Sequence, residues 1–387
     1  MKCSKVPLLA VPVLLSALSA AALAADEPAK PAAPSLTDVL AASNVTVSGY
    51  LDVSYQHLDG TGQFANGSPD RVFDARQDAF TLHQAAVTVG YQPKEGFGAL
   101  VNLIAGQDAD VFAPYDINPG AHSKFDFPQA YVQYATGPLT VIAGRFVTLA
   151  GFETIDPRTD TNFSRSILYG FAIPFAHTGI RATVVASDQL TVNVGIVNGW
   201  DDLKDTNSAK TLELGATFTP VKALSLTVDG YVGKERVGGL TEVGPEGQRK
   251  LVDVIGSWNI TESLALVLNY DWGRQDGGAP DGGTARWNGL AGYLNYSFND
   301  HWRASLRGEY FDDQDGYRTG FVQTWKEATL TVAWLPSKAV ELRLEGRADR
   351  SDHPVFVKDG AYFTSEGDPR YLGDQQGSVA VEALFKF

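Results

Sequence analysis

The sequence predicts an all-β fold, a transmembrane antiparallel up-and-down β-barrel of about sixteen strands, on three observations. Sixteen segments between Val45 and Phe387 alternate apolar and polar residues with a period of two. The links between them alternate between tight turns and long loops. Beyond the first two dozen residues, no run approaches the twenty apolar residues of a membrane helix. Hydrocarbon cannot hydrogen-bond the backbone, so only helices and closed barrels span a bilayer. A mean hydropathy of -0.11 agrees, because alternation averages out.

Residues 1–24 read as a signal peptide. Lys2 and Lys5 give a positive start, Val6 to Leu23 an apolar stretch, and Ala22-Leu23-Ala24 a small-x-small cleavage site. An uncleaved membrane helix is the competing reading, disfavoured by Pro7, Pro12 and that site. The mature chain is expected to begin at Ala25 and to be exported. Losing two lysines makes a net charge of -14 still more negative, which argues against nucleic-acid partners. Cys3 is the only cysteine and leaves with the leader, so stability must come from strand pairing rather than disulfides.

Residues 25–44 form a Pro/Ala-rich periplasmic spacer. Asp26 to Pro34 cannot pack a core, and Ser35 to Leu40 suits a short helix with Ser35 as N-cap and Asp38 near its positive end. The barrel occupies 45–387. In the first strand Val45, Val47, Leu51, Val53 and Tyr55 share one face, and Thr46, Ser48, Tyr50, Asp52 and Ser54 the other. The same period places strands near 78–92, 97–106, 125–136, 138–146, 175–187, 189–199, 210–219, 223–236, 249–260, 263–275, 285–299, 302–313, 324–335, 338–350 and 376–387.

Short links such as Ser187-Asp188, Thr261-Glu262 and Pro336-Ser337 are periplasmic turns in this scheme, and the long links face outward. Strands descending to the periplasm should then end on an outward aromatic at the headgroups. Tyr91, Tyr134, Phe218, Trp258, Phe298, Trp334 and Phe387 meet that rule, and Tyr55, Trp200, Tyr270, Trp272 and Tyr310 are expected at the opposite rim. Localisation follows: the outer membrane of a Gram-negative bacterium, with membrane lipid and lipopolysaccharide as neighbours.

Gly144-Arg145-Phe146, Gly151-Phe152-Glu153, Asn162-Phe163-Ser164-Arg165-Ser166 and Ile173-Pro174-Phe175-Ala176-His177-Thr178-Gly179 resemble the hallmark segment of the OmpL-like β-barrel porins. The resemblance implies an outer-membrane channel, and carries over no catalytic residue.

Val147 to Pro174, the third long loop, holds too many apolar residues to hang in water, among them Leu149, Phe152, Ile155, Phe163 and Phe171. It is expected to fold inward and narrow the wide opening a sixteen-strand barrel leaves. Glu153, Asp156, Arg158, Asp160 and Arg165 are the candidate constriction residues. On the wall, Arg181, Arg303, Arg307, Glu309, Glu341, Arg343, Glu345 and Arg347 take the inward phase, since charge facing lipid is costly. Two roles stay open for these arginines: facing the loop carboxylates to set a transverse field, or forming an internal ladder that stiffens the wall. Tyr50, Tyr131, Tyr231 and Tyr293 share the inward phase as stacking or space-filling groups.

The expected function is passive diffusion of small hydrophilic solutes or ions through a water-filled lumen, with no cofactor. Acidic loop residues such as Asp352, Asp359, Glu366, Asp368 and Asp374 make net charge a poor guide to selectivity. Asp312-Asp313-Gln314-Asp315-Gly316 lacks the spacing of a calcium loop, so no metal is assigned. A lipase- or protease-like barrel is the rival: Ser164 and His177 lie close enough in sequence to meet, but no G-x-S-x-G or H-E-x-x-H occurs. A structural or adhesive barrel is the third reading. Barrels of this size suggest a homotrimer by analogy.

Overall fold

The structure is a computed structural model that describes residues 36–111, 124–205, 207–237, 244–358 and 371–387. The signal peptide, the Ser35 cap, and Asp359, Glu366 and Asp368 lie outside the described residues. The chain enters through a short helix, α1 (Leu36–Ser43), where the Ser43 hydroxyl donates to the Leu40 carbonyl at 3.0 Å. Asn44, at φ 56°, ends it, since asparagine tolerates the left-handed region and the helix cannot continue through it.

Sixteen strands then close on themselves. They are β1 (Thr46–Leu58), β2 (Ala79–Tyr91), β3 (Gly96–Ala105), β4 (Phe125–Thr136), β5 (Leu139–Val147), β6 (Ala176–Ser187), β7 (Leu190–Val197), β8 (Thr211–Val221) and β9 (Leu224–Arg236), followed by β10 (Glu246–Asn259), β11 (Leu264–Gln275), β12 (Ala285–Asn299), β13 (Trp302–Asp313), β14 (Gln323–Ser337), β15 (Val340–Ser351) and β18 (Gln375–Lys386). Each pairs antiparallel with its neighbours in sequence, and β18 returns to β1 through Tyr50↔Lys386, Ser54↔Glu382 and Leu58↔Ser378. Closure leaves the barrel sheet no edge strand to template aggregation. A minimal pair, β16 (Phe356–Val357) with β17 (Leu372–Gly373), sits in the last long link.

Burial is inverted relative to a water-soluble protein. On β15, Glu341, Arg343, Glu345, Arg347 and Asp349 are buried while Leu344 is 55 % exposed. Leu226, Val228, Leu268, Leu294 and Leu330 are likewise exposed. A ladder of bare leucines is stable against hydrocarbon, and inward charge is stable only among partners. Tyr91, Tyr134, Phe218, Trp258, Phe298, Trp334 and Phe387 are all exposed at the descending ends, as are Tyr55, Tyr270 and Tyr310 at the other rim. Trp200 departs from the expected girdle. Beyond the end of β7 the chain turns at Gly199 (φ +154°), and Trp200 is 4 % exposed, packed edge-on to Trp287 with Arg249 and Arg318 over its ring.

The mouth on the side of the long links has an apolar core of its own. Phe64, from the link after β1, packs against Phe171, Phe321, Trp325 and Phe356, with ring centroids 5.4 to 6.2 Å apart. Phe64 also forms a bridge to Phe356, tying the first link to the last.

Candidate functional site: the lumen and its long loop

Residues 147–174 leave β5 and run along the inner wall. Arg181 donates to the Val147 carbonyl at 3.0 Å, and the Tyr231 hydroxyl accepts the Leu149 N–H at 3.0 Å. Asn269 then accepts the Phe152 N–H at 2.9 Å, and Phe152 packs on Tyr293 at 4.8 Å. Gly151, at φ +89°, makes the bend; a Cβ there would meet Ile173 at 2.5 Å. A single π-type turn over Leu168–Ala172 ends the segment beneath Trp287, whose indole donates to the Ala172 carbonyl at 3.0 Å.

An irregular segment taken out of water must satisfy every backbone group elsewhere. The wall charges do this with a division of labour. Carboxylates accept loop N–H groups: Glu345 takes Phe163 at 2.7 Å and Ser164 at 3.0 Å, and Glu309 takes Ile167 at 2.9 Å and Leu168 at 3.1 Å. Arginines donate to loop carbonyls: Arg343 to Pro157 at 3.0 Å and Asp160 at 2.9 Å, Arg307 to Ser164 at 2.6 Å, and Arg347 to Arg165 at 2.7 Å. The periodic Arg and Glu of β13 and β15 thus replace solvent around the loop.

The arginines are also neutralised within the wall. Arg307 meets Glu327 at 2.9 Å, Arg343 meets Glu341 at 2.7 Å and Glu382 at 3.0 Å, Arg347 meets Asp349 at 2.7 Å, and Arg181 meets Glu213 at 2.6 Å. Arg303 pairs with Glu341 as well. Among the described residues, the expected wall-to-loop ion pair that forms is Arg307 with Glu153, at 2.7 Å. Arg343 and Arg347 reach loop carbonyls and wall carboxylates rather than loop carboxylates.

The five loop candidates separate into two groups. Glu153, Asp160 and Arg165 are buried. Glu153 accepts the Ser166 N–H at 2.6 Å, and Arg165 lies 3.1 Å from Asp160 while donating to the Thr154 and Ile155 carbonyls. Burial pushes the Asp160 carboxyl up to about 7 despite Arg165. Asp156 and Arg158 are partly exposed, pair with each other at 2.7 Å, and place the guanidinium 4.5 Å above the Tyr50 ring. These two are the charges of the loop that water reaches.

Ser164 and His177 do not come together. Ser164 is held by Arg307 at 3.0 Å, and His177 faces the Gly199 carbonyl at 2.8 Å and stacks on Tyr231 at 4.8 Å. A different Ser-His-Asp chain does form: Ser54 Oγ lies 2.8 Å from His83 Nε2, and His83 Nδ1 lies 3.0 Å from Asp108. All three are at most 4 % exposed, and Phe163 packs edge-on to the imidazole at 5.3 Å, so a substrate carbonyl has no approach. The chain braces the loop against β1 and β2.

Sequence reasoning missed the partners Glu327, Asp349 and Glu382, although their inward phase was readable. It also missed Arg71, which leaves the first link to bond Asp74 and Asp349 at 2.7 Å each; no pattern in that polar link points to it. On β6 to β9 neutral pairs join the buried charges Arg181, Glu213 and Asp229: Thr183 meets Asn193 at 2.7 Å and Thr217 meets Thr227 at 3.1 Å, all four half-buried.

A family model described as "Putative beta-barrel porin-2, OmpL-like" matches residues 44–387. No curated protein sequence matches the chain. Solved structures share the fold at low identity. The outer membrane channel DcaP of Acinetobacter baumannii is 12 % identical, with 89 % of this chain and 97 % of that chain covered and a TM-score of 0.58. The anion-selective porin from Comamonas acidovorans is 14 % identical, with 89 % and 99 % covered and a TM-score of 0.61. OmpT of Vibrio cholerae in its trimer form is 10 % identical, with 89 % and 99 % covered and a TM-score of 0.58.

Proposed function

The chain belongs to the OmpL-like family of β-barrel porins, and from that premise we propose that it is an outer-membrane channel in which residues 147–174 narrow a water-filled lumen. Family and fold point to a channel rather than an enzyme. The observation that carries the reading is the pairing of a lipid-compatible exterior with an inner wall whose Arg and Glu side chains hold the loop by its backbone. Solutes and ions diffuse down their gradients, so neither a bound cofactor nor a covalent step is involved. Asp156 and Arg158, being the loop charges open to water, are the groups that passing ions meet, and the buried Glu153, Asp160 and Arg165 hold the loop's shape.

Export with cleavage near Ala24, contact with lipopolysaccharide, and assembly as a homotrimer complete the proposal. The trimer form of the Vibrio cholerae barrel supports the last by likeness of fold.

Single-channel recording in planar bilayers tests the reading. Purified protein should give discrete conductance steps, and a variant with residues 154–164 replaced by a short Gly/Ser link should give larger ones. An unchanged step size would remove the loop from the path, and a silent bilayer would remove the channel.

A further inference from the structure

The barrel wall has a notch near its extracellular rim. Regular pairing of β2 with β3 begins at Ala85↔Ala105; beyond it Gly106 (φ +138°) bends the chain, and Gln107 and Asp108 still donate their N–H groups to the Leu82 and His83 carbonyls at 2.9 and 3.1 Å. Above that point Phe80 to Leu82 continue on one side, and Gly106, Gln107, Lys124 and Phe125 form the other. Between them lies a cleft of about 490 Å3, within the usual size of a ligand site.

Its two ends differ in chemistry. Toward the lipid, Phe80 is 83 % exposed and packs, tilted by 55°, on Tyr55 of the rim at 4.9 Å, and Phe125 is 59 % exposed. Toward the headgroups, Arg76 and Lys124 both donate to one acceptor, Gln107 Oε1, each at 3.2 Å. Two cations converging on a single neutral oxygen repel each other by roughly 1 kcal/mol or more near a surface. Among the described residues Asp110 pairs with Lys124, so the cleft counts two cations to one carboxylate, on a chain whose overall charge is -14.

We infer that this cleft binds a phosphorylated acyl lipid of the outer leaflet, with the phosphate between Arg76 and Lys124 and an acyl chain along Phe80 and Phe125. Arginine and lysine donate charge-assisted hydrogen bonds to phosphate oxygens, and the aromatic faces bury hydrocarbon that would otherwise end at the notch. The site rests on the outer-membrane placement above.

Native mass spectrometry of the full chain in detergent tests it, with three probes: a phosphorylated acyl lipid of the lipid A type, the same lipid dephosphorylated, and inorganic phosphate. The phosphorylated lipid should be retained, and retention should fall at least tenfold in R76Q/K124Q. Inorganic phosphate should not displace it. Equal retention of the dephosphorylated lipid, or undiminished retention by the double variant, overturns the site. Displacement by inorganic phosphate makes it a free-anion site and overturns it too. Cross-linking from Gln107→Cys to a second copy in native membranes would put protein in the cleft. Heat-resistant migration in gels verifies folding; if the double variant fails that check, R76Q alone is read. Bilayer conductance does not need the cleft, so a conducting protein that binds no lipid defeats this inference alone.

Discussion

Arg307 is the residue on which the interior turns. It is wholly buried and holds Glu153 of the loop, Glu327 of the neighbouring strand and the Ser164 carbonyl together. Removing one member of a buried charge set leaves the others uncompensated, at about 3–5 kcal/mol. Arg307→Ala should therefore lower the urea midpoint of tryptophan-fluorescence unfolding in vesicles and free the loop to proteases. Asp70 adds a pH dependence. Burial pushes its carboxyl from 3.8 to about 7, so the folded state holds a proton that the released chain gives up. Its contribution is complete below about pH 3.8 and is lost as pH rises through about 7. Protection factors of the first link and of residues 147–174, which remove the intrinsic rise of amide exchange with pH, should be lower at pH 8 than at pH 5, and Asp70→Asn should flatten that difference. The inward phase of Arg303, Arg307, Arg343 and Arg347 was legible because a period of two leaves only one side free of lipid. What each guanidinium would hold was not, because donors and acceptors from links 100 or more residues away meet only in the closed barrel.

At the level of elements, alternation and turn chemistry place all sixteen strands, including 79–91 and 125–136, whose patterns are the least regular. Girdle positions followed wherever a strand ran unbroken to its end. Trp200 shows where that logic stops: three residues past β7 and next to Gly199, it no longer obeys the strand's phase and turns inward. The first link was equally opaque, since Phe64, Arg71 and Phe73 sit among Gly, Ser, Asp and Asn and yet are buried. The two faces of a strand should respond oppositely to charge. Leu268→Arg on the lipid face of β11 is expected to cost about 2–4 kcal/mol if it lies near the bilayer midplane, and Thr227→Arg on the lumen face of β9 should fold. Gel-shift assays of refolding into vesicles compare the two directly.

For the whole molecule, the described residues form a closed wall, a loop bound to its inside by paired charges, and an aromatic roof at the mouth. The wall meets two solvents, and every other assignment depends on that division. Apart from Cys3 the chain carries no cysteine, so single cysteines placed along β9 report it without background. Ser225 and Thr227 are half-buried and inward, while Leu226 and Val228 are 44 % and 42 % exposed. In reconstituted vesicles, cysteines at 225 and 227 should react with a charged, water-soluble thiol reagent and lower the conductance, and those at 226 and 228 should not react. Equal labelling at all four positions, or labelling confined to 226 and 228, would contradict the account.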